Sequence, residues 1–208
     1  MDQSQFEIQN PGRRPHLVVL AGPNGAGKST AAPTVLRGQL GVLEFVNADT
    51  IARGLSAFSP ERAAIDAGRI MLSRLEQLAV QRHSFAFETT LASRTFAPRI
   101  QRWMRSGYAF HLIFLWLPSA DFARARVLER VRLGGHDVPE VIITRRYHRG
   151  VTNFFTLYQP LATTWRFYDN SGRRPRLLAR GEGTERITVT NPQLWSRIVE
   201  EHNARRAS

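Results

Sequence analysis

Leu17-Val-Val-Leu-Ala21 runs without a break into Gly22-Pro-Asn-Gly-Ala-Gly27-Lys28-Ser29-Thr30. The first five residues form an apolar, β-branched run of the kind that makes a buried strand. The next eight match G-x-x-x-x-G-K-[ST], a loop whose backbone N–H groups cradle phosphate while its lysine reaches the β and γ oxygens. A helix read from Lys28 onward would aim its positive N-terminus at the same phosphates. Pro33 opposes this locally, since a proline in the second turn removes a hydrogen bond and kinks a helix. The composition around the loop sharpens the reading. Lys28 is the only lysine among 29 basic side chains, and the other 28 are arginines. A compact ammonium thus stands where a tight loop has no room for a planar guanidinium fork. The residues expected to hold the nucleotide are Gly22, Pro23, Asn24, Gly25, Ala26, Gly27, Lys28, Ser29 and Thr30, and the Ser29 hydroxyl is expected to ligate Mg²⁺.

Outward from the loop, strands and helices alternate. Leu43–Ala48, Ser84–Glu88 and Tyr108–Leu117 read as strands, with short late strands at Arg166–Tyr168 and Arg186–Val189. Ser59-Pro60 reads as the cap and first position of a helix reaching Arg82, with Ala64, Gly68, Met71, Leu75 and Leu78 on one face. Further helices are expected from Arg94 to Gly107, from a Ser119 cap to Gly134-Gly135, from Pro139 to Tyr158, and over Pro192–Arg205. This alternation predicts an α/β fold: a parallel sheet with helices on both faces. The expected organisation is a flexible segment over 1–15 and one domain over 16–208, with a helical lid at about 124–150.

Composition narrows the chemistry. With 208 residues and 42% hydrophobic content the chain can bury a core, and with no cysteine it has neither disulfides nor thiolate chemistry. The longest apolar run is too short for a bilayer, and Met1–Asn10 is polar rather than a basic-then-apolar leader, so a soluble, cytoplasmic protein without a membrane partner is expected. The formal net charge of +12 suits any anionic partner, but the arginines are spread along the chain with no nucleic-acid module, which places nucleic acid behind a small anionic substrate.

Ligands of open α/β sheets bind beyond the carboxyl ends of the strands. The second strand ends in Asn47-Ala-Asp49 and the third in Glu88-Thr-Thr90, whereas the apolar fourth ends in Leu117-Pro118 with no acid. A hydrolytic motor or switch usually keeps a magnesium-holding aspartate after such a strand. Its absence favours transfer of phosphate to a bound hydroxyl, with Asp49 taking the proton and Glu88 gripping the acceptor. Duller roles stand beside these: Asp49 as a helix cap, Glu88 as a neighbour of magnesium. An arginine cluster follows, with Arg124, Arg126, Arg130 and Arg132 before the glycines and Arg145, Arg146 and Arg149 after them. Pairs four apart share a helical face and repel each other unless an anion lies between them. Guanidinium forks on a closing lid suit the oxygens of a transferring phosphoryl group. The alternative is a solvated arginine face. His136 reads as a loop or hinge residue.

Together these residues resemble the zeta-toxin-like P-loop kinases, particularly the short chromosomal ones. The resemblance spans about Leu17 to Ser171 and rests on the phosphate loop, Asn47-Ala-Asp49, Phe87-Glu-Thr-Thr-Leu91, Arg130 before Gly134-Gly-His-Asp-Val-Pro139, Arg145-Arg-Tyr147 and Tyr168-Asp-Asn-Ser171. It implies Asp49 as general base, Lys28 and Ser29 at ATP (or GTP) and Mg²⁺, Glu88 and Thr90 at an acceptor sugar, and Arg130 with Arg145 or Arg146 clamping phosphate. It also implies UDP-N-acetylglucosamine as acceptor, and a toxin–antitoxin setting in which any antitoxin is a separate chain. The third strand ends Glu-Thr-Thr where the family has Glu-Gly-Thr, and the lid arginines are spaced differently. Two other functions compete: a nucleoside, nucleotide or polynucleotide 5′-kinase, and a nucleotide-regulated nucleic-acid-binding protein.

Overall fold

In a computed structural model, the described residues are 14–39, 42, 44–57, 59, 62–135 and 137–207. His136, Pro60 and residues 1–13 of the expected N-terminal segment lie outside them. Among the described residues seven strands form one sheet in the order β2-β3-β1-β4-β5-β6-β7. They are β1 (His16–Ala21), β2 (Glu44–Val46), β3 (Phe85–Thr89), β4 (Ala109–Trp116), β5 (Thr164–Asp169), β6 (Arg176–Glu182) and β7 (Glu185–Val189). The first five are mutually parallel, while β6 and β7 are antiparallel additions. The α/β reading holds: five strands form the expected parallel sheet, and β6 and β7 extend it into a mixed one. β6 was not expected at all, because its arginines interrupt the apolar pattern and its pairing with β5 is what makes it a strand.

The helices are α1 (Lys28–Ala32), α2 (Ala48–Leu55), α3 (Ala64–Val80), α4 (Phe96–Arg105), α5 (Ala120–Arg132), α6 (Glu140–Asn153) and α7 (Pro192–Ala207). Pro33 acts as expected: α1 stops at Ala32 and the chain continues as a π-helical stretch, Pro33–Gln39. A proline at that point has no N–H for the i−4 carbonyl, and wider winding relieves its ring. α3 starts at Ala64, later than the Ser59 cap implied, and buries Ala67, Met71, Leu75 and Leu78 rather than Ala64 or Gly68. Ser119 does cap α5, its side chain accepting from Phe122 N at 3.0 Å.

Two apolar layers sandwich the sheet. On one side Phe85, Phe87, Phe110, Phe114, Phe154 and Trp165 are fully or almost fully buried, and on the other Val18, Leu20, Leu115 and Val127 are. Each such side chain contributes about 1.5–3 kcal/mol by leaving water. β1 lies at the centre of the parallel strands. The chain leaves it toward β2, returns to β3, and crosses to β4 on the far side. That reversal opens a crevice at the carboxyl end of β1, where the glycine-rich loop begins.

Candidate active site

Register places the first acid. Leu20 pairs with Glu88 and Ala21 with Thr89, so Glu88 lies beside the last residues before the loop. On the other side of β1 the fit is tight: a Cβ on Gly22, whose φ is +145°, would stand 2.3 Å from Leu115 O. Only glycine lets the chain turn there against the end of β4.

Lys28 is 7% exposed. Its Nζ donates to Gly22 O and Pro23 O, both at 2.9 Å, and stands 3.9 Å from Glu88 Oε1. Burial lowers its pKa; Glu88 and Asp49 act to raise it, while Arg130 and Arg146 act to lower it further. Four separated residues singled out in the sequence therefore share one electrostatic neighbourhood with the loop lysine. Glu88 Oε2 also accepts from Ser29 Oγ at 2.9 Å and from Asn47 Nδ2 at 3.0 Å. Glu88 thus accepts from the hydroxyl that the loop pattern offers to magnesium. Asn24 Oδ1, within the loop, is buried without a hydrogen-bond partner among the described residues.

Asp49 is not the cap of α2. Asn47 is: its Oδ1 accepts from Asp49 N at 2.8 Å and Thr50 N at 3.2 Å. The Asp49 carboxylate lies in the first turn, exposed, in the field of Arg146. Asn47 thus does two things at once, capping the helix that carries Asp49 and holding Glu88. In the sequence Asn47 stands out as a polar strand end and as the head of Asn47-Ala-Asp49, not as a cap. Its signal was available, because asparagine two residues before an acid in a first turn is a preferred cap.

The arginines separate into three groups. Arg146 is half-buried and faces the site; burial lowers its pKa, which Asp49 opposes. Arg145 is exposed, so of that pair the structure turns Arg146 inward. Arg130 is exposed at the end of α5 but lies in the field of Lys28. Arg124 points away, bonded to Asp121 at 2.7 Å and Glu140 at 3.4 Å. Arg126, grouped with Arg130 by spacing, does something else: its Nη1 and Nη2 donate to Asn170 O and Ser171 O at 2.8 and 3.0 Å. Asn170 Nδ2 in turn donates to Ala26 O at 2.7 Å. Arg126 therefore braces the back of the phosphate loop.

α6 is held close to the site by backbone contact. A Cβ on Gly150 would stand 2.4 Å from Thr90 O, so only glycine permits this approach of helix to strand end. Asn153 Nδ2 adds a bond to Leu91 O at 2.7 Å, and Tyr147 OH one to Leu117 O at 2.8 Å. Thr90 Oγ1 accepts from Ala92 N at 3.4 Å, which sets this hydroxyl at the turn beneath α6.

The family model for zeta toxin matches residues 2–173. The chain belongs to the zeta toxin family. It is similar to an uncharacterized protein of Haemophilus influenzae, 31% identical over 131 residues, which cover 62% of this chain and 91% of that one. Its fold is similar to that of the crystal structure of AvrRxo1-ORF1:-ORF2 with ATP, with a TM-score of 0.72 at 19% identity over 90% of this chain. This zeta toxin family member spans 64% of the length of that AvrRxo1 chain. It is also similar to a structure from the PezAT chromosomal toxin–antitoxin system of Streptococcus pneumoniae, with a TM-score of 0.64 at 14% identity, covering 98% of this chain and 90% of that one. The fold is that of the P-loop kinases. β6, β7 and α7 lie beyond the matched residues of the family.

Proposed function

We propose that this protein is an ATP-dependent kinase that transfers the γ-phosphoryl group to a hydroxyl of a nucleotide-linked amino sugar, with UDP-N-acetylglucosamine as the first acceptor to test. The observation that carries this reading is the convergence of Asp49, Glu88, Arg130 and Arg146 on the field of the buried Lys28. A base, a cationic loop and two arginines from the helices beside it are the parts phosphoryl transfer needs.

The residues fit a magnesium ion. Ser29 Oγ and the Glu88 carboxylate are adjacent hard oxygen donors, and Mg²⁺ takes one or two such protein groups, with phosphate and water completing its shell. Bound there, the ion would offset charge on the β and γ oxygens. The loop N–H groups and Lys28 hold the phosphates, and Asp49 accepts the proton of the attacking hydroxyl at its carboxylate. Arg146 and Arg130 meet the charge that develops on the transferred group. Glu88 orients Ser29, and Thr90, at the turn below α6, contacts the acceptor. The domain over 16–208 works as one unit with α5 and α6 as its lid. An antitoxin supplied as a separate chain is a further part of this reading, suggested by family membership and the PezAT likeness.

ADP release measured by a coupled assay tests the reaction. UDP-N-acetylglucosamine is expected to stimulate release well above the ATP-only rate. No stimulation by that sugar, alongside turnover of a nucleoside or of RNA 5′ ends, would replace this reading with a nucleoside or polynucleotide kinase. The arginines give a second expectation. Arg130→Ala and Arg146→Ala are each expected to lower kcat by roughly 10²–10³ with little change in ATP affinity, because their charge matters most in the transition state. Arg124→Ala, whose partners lie outside the site, is expected to turn over within about twofold of wild type, as surface ion pairs carry about 0–1 kcal/mol. Equal, mild effects from all three would mark the cluster as a solvated face.

A further inference from the structure

The helix that carries Arg146 is held from behind. α6 continues into a π-helical stretch, Phe154–Tyr158, and widened turns of this kind recur at functional sites. The two rings at its start face different neighbours. Phe154 packs on Phe114 and Phe167 of the sheet, with ring centroids 5.0 and 4.9 Å away. Phe155 faces α7, stacking on His202 at 4.8 Å and tilting against Trp195 at 5.6 Å. Trp195 in turn stacks on Trp165 at 5.8 Å and meets Phe167 edge-on at 5.2 Å. Trp165 and Phe167 belong to β5, and His202 is 5% exposed. α7 is thus seated on β5 and grips the chain just past the end of α6.

The far end of α7 reaches the middle of α6. Glu201 and Arg205 lie in the field of Tyr147, and Arg205 in that of His148, the two residues that follow Arg146. A cavity of about 460 Å³ lies between the helices, lined by Thr144, His148 and Thr152 of α6 and by Ile198, Glu201 and Arg205 of α7 among others. With that space between them, α7 meets α6 around the rim of a gap rather than along a closed seam. Arg146 is two residues from both Thr144 and His148, about 200° around the helix. It therefore leaves α6 on the side away from α7, so a shift of α6 relative to α7 moves its guanidinium in the crevice.

We propose that α7 is a brace for this arginine: Trp195 and His202 are positioning residues that act through Phe155 and α6 to hold Arg146 at the phosphates. The inference rests on the proposed role of Arg146 in transfer and adds what sets that side chain in place. α7 lies beyond residues 2–173, so the brace stands outside the matched span of the family. A misplacement of about 1 Å caused far from the chemistry can cost about 10²-fold in rate, which is why such a support matters.

The test is a double-mutant cycle. His202→Ala removes the ring stacked on Phe155 and is expected to lower kcat roughly 10- to 100-fold, with ATP Kd within about twofold of wild type. In an Arg146→Ala background the same change is expected to cost no more than about twofold, since the side chain it positions is gone. His202→Phe, which keeps a ring over Phe155, is expected to recover most of the rate. Equal losses in the two backgrounds, or no loss in either, would overturn the inference. If His202→Ala does not fold, Trp195→Phe, a milder change in the same stack, goes through the same cycle under the same criterion. Amide hydrogen exchange adds a readout that needs no acceptor. His202→Ala, or Trp195→Phe in its place, is expected to speed exchange in α6 while leaving α3 unchanged. Unchanged exchange in α6, or equal acceleration in both helices, would overturn the brace. Selective loosening of α6 in an enzyme that no acceptor stimulates would uphold the brace and count against the proposed reaction alone.

Discussion

Lys28→Ala is expected to abolish measurable turnover and to weaken ATP binding, and Lys28→Arg to lose at least about 10² in kcat/KM. The ammonium is almost wholly buried, with Nζ fitted between the carbonyls of Gly22 and Pro23 and 3.9 Å from Glu88. At an effective dielectric of about 20, charges at that distance attract by about 4 kcal/mol, an amount offset in part by the cost of burying both. Alanine removes the cation and leaves Glu88 beside phosphate with the hydrogen-bond donors Ser29 and Asn47. Arginine keeps the charge but brings a planar fork too wide for two carbonyls one residue apart. The protein already places arginine at every other cationic position, so the rule that guanidinium does not fit here is open to direct test. Steady-state rates with ATP titration, and thermal unfolding as a folding control, decide it. An arginine variant at near wild-type rate would show that charge alone suffices at position 28.

The parts of this site that were legible in the sequence are those whose signal is local. The phosphate loop carries its mechanism within eight residues, and the strand ends at Asn47-Ala-Asp49 and Glu88-Thr-Thr90 follow from apolar runs closed by polar residues. What was hidden depends on partners far along the chain. Asn47 and Glu88 are 41 residues apart, and no spacing rule links a helix cap to a strand-end acid. Arg126 and Arg130 show a second limit. A separation of four places two side chains on one face of a helix, but also about 6 Å apart along its axis. That step carries Arg126 to the carbonyls of Asn170 and Ser171, while Arg130 reaches the field of Lys28. β6 was missed for a third reason. Its buried positions, Leu178, Ala179 and Gly181, interrupted by Arg180, form no clean alternation, so β5 and β7 on either side supply the order that its own sequence does not.

Asp49→Asn is expected to lower kcat by roughly 10²–10⁴, the span associated with losing a positioned general base, while ATP affinity stays within a few-fold. The amide matches the carboxylate in shape but cannot take a proton from the acceptor hydroxyl. Binding of ATP should survive because the loop and Lys28 are untouched. Folding should survive as well, because Asn47 supplies both hydrogen bonds that start α2. Asp49 adds only its charge at the helix N-terminus, about 0.3–1 kcal/mol. The contrast is Asn47→Ala. It removes the cap, at about 1 kcal/mol, and frees Glu88 from one of its donors, so it should lower Tm as well as rate. Measuring kcat, ATP Kd and Tm on the two variants separates the roles. A base gives a large rate loss at nearly unchanged Tm, whereas an Asp49→Asn enzyme that turns over normally and melts early would reduce Asp49 to a helix-stabilising charge and leave the proton without an acceptor in this site.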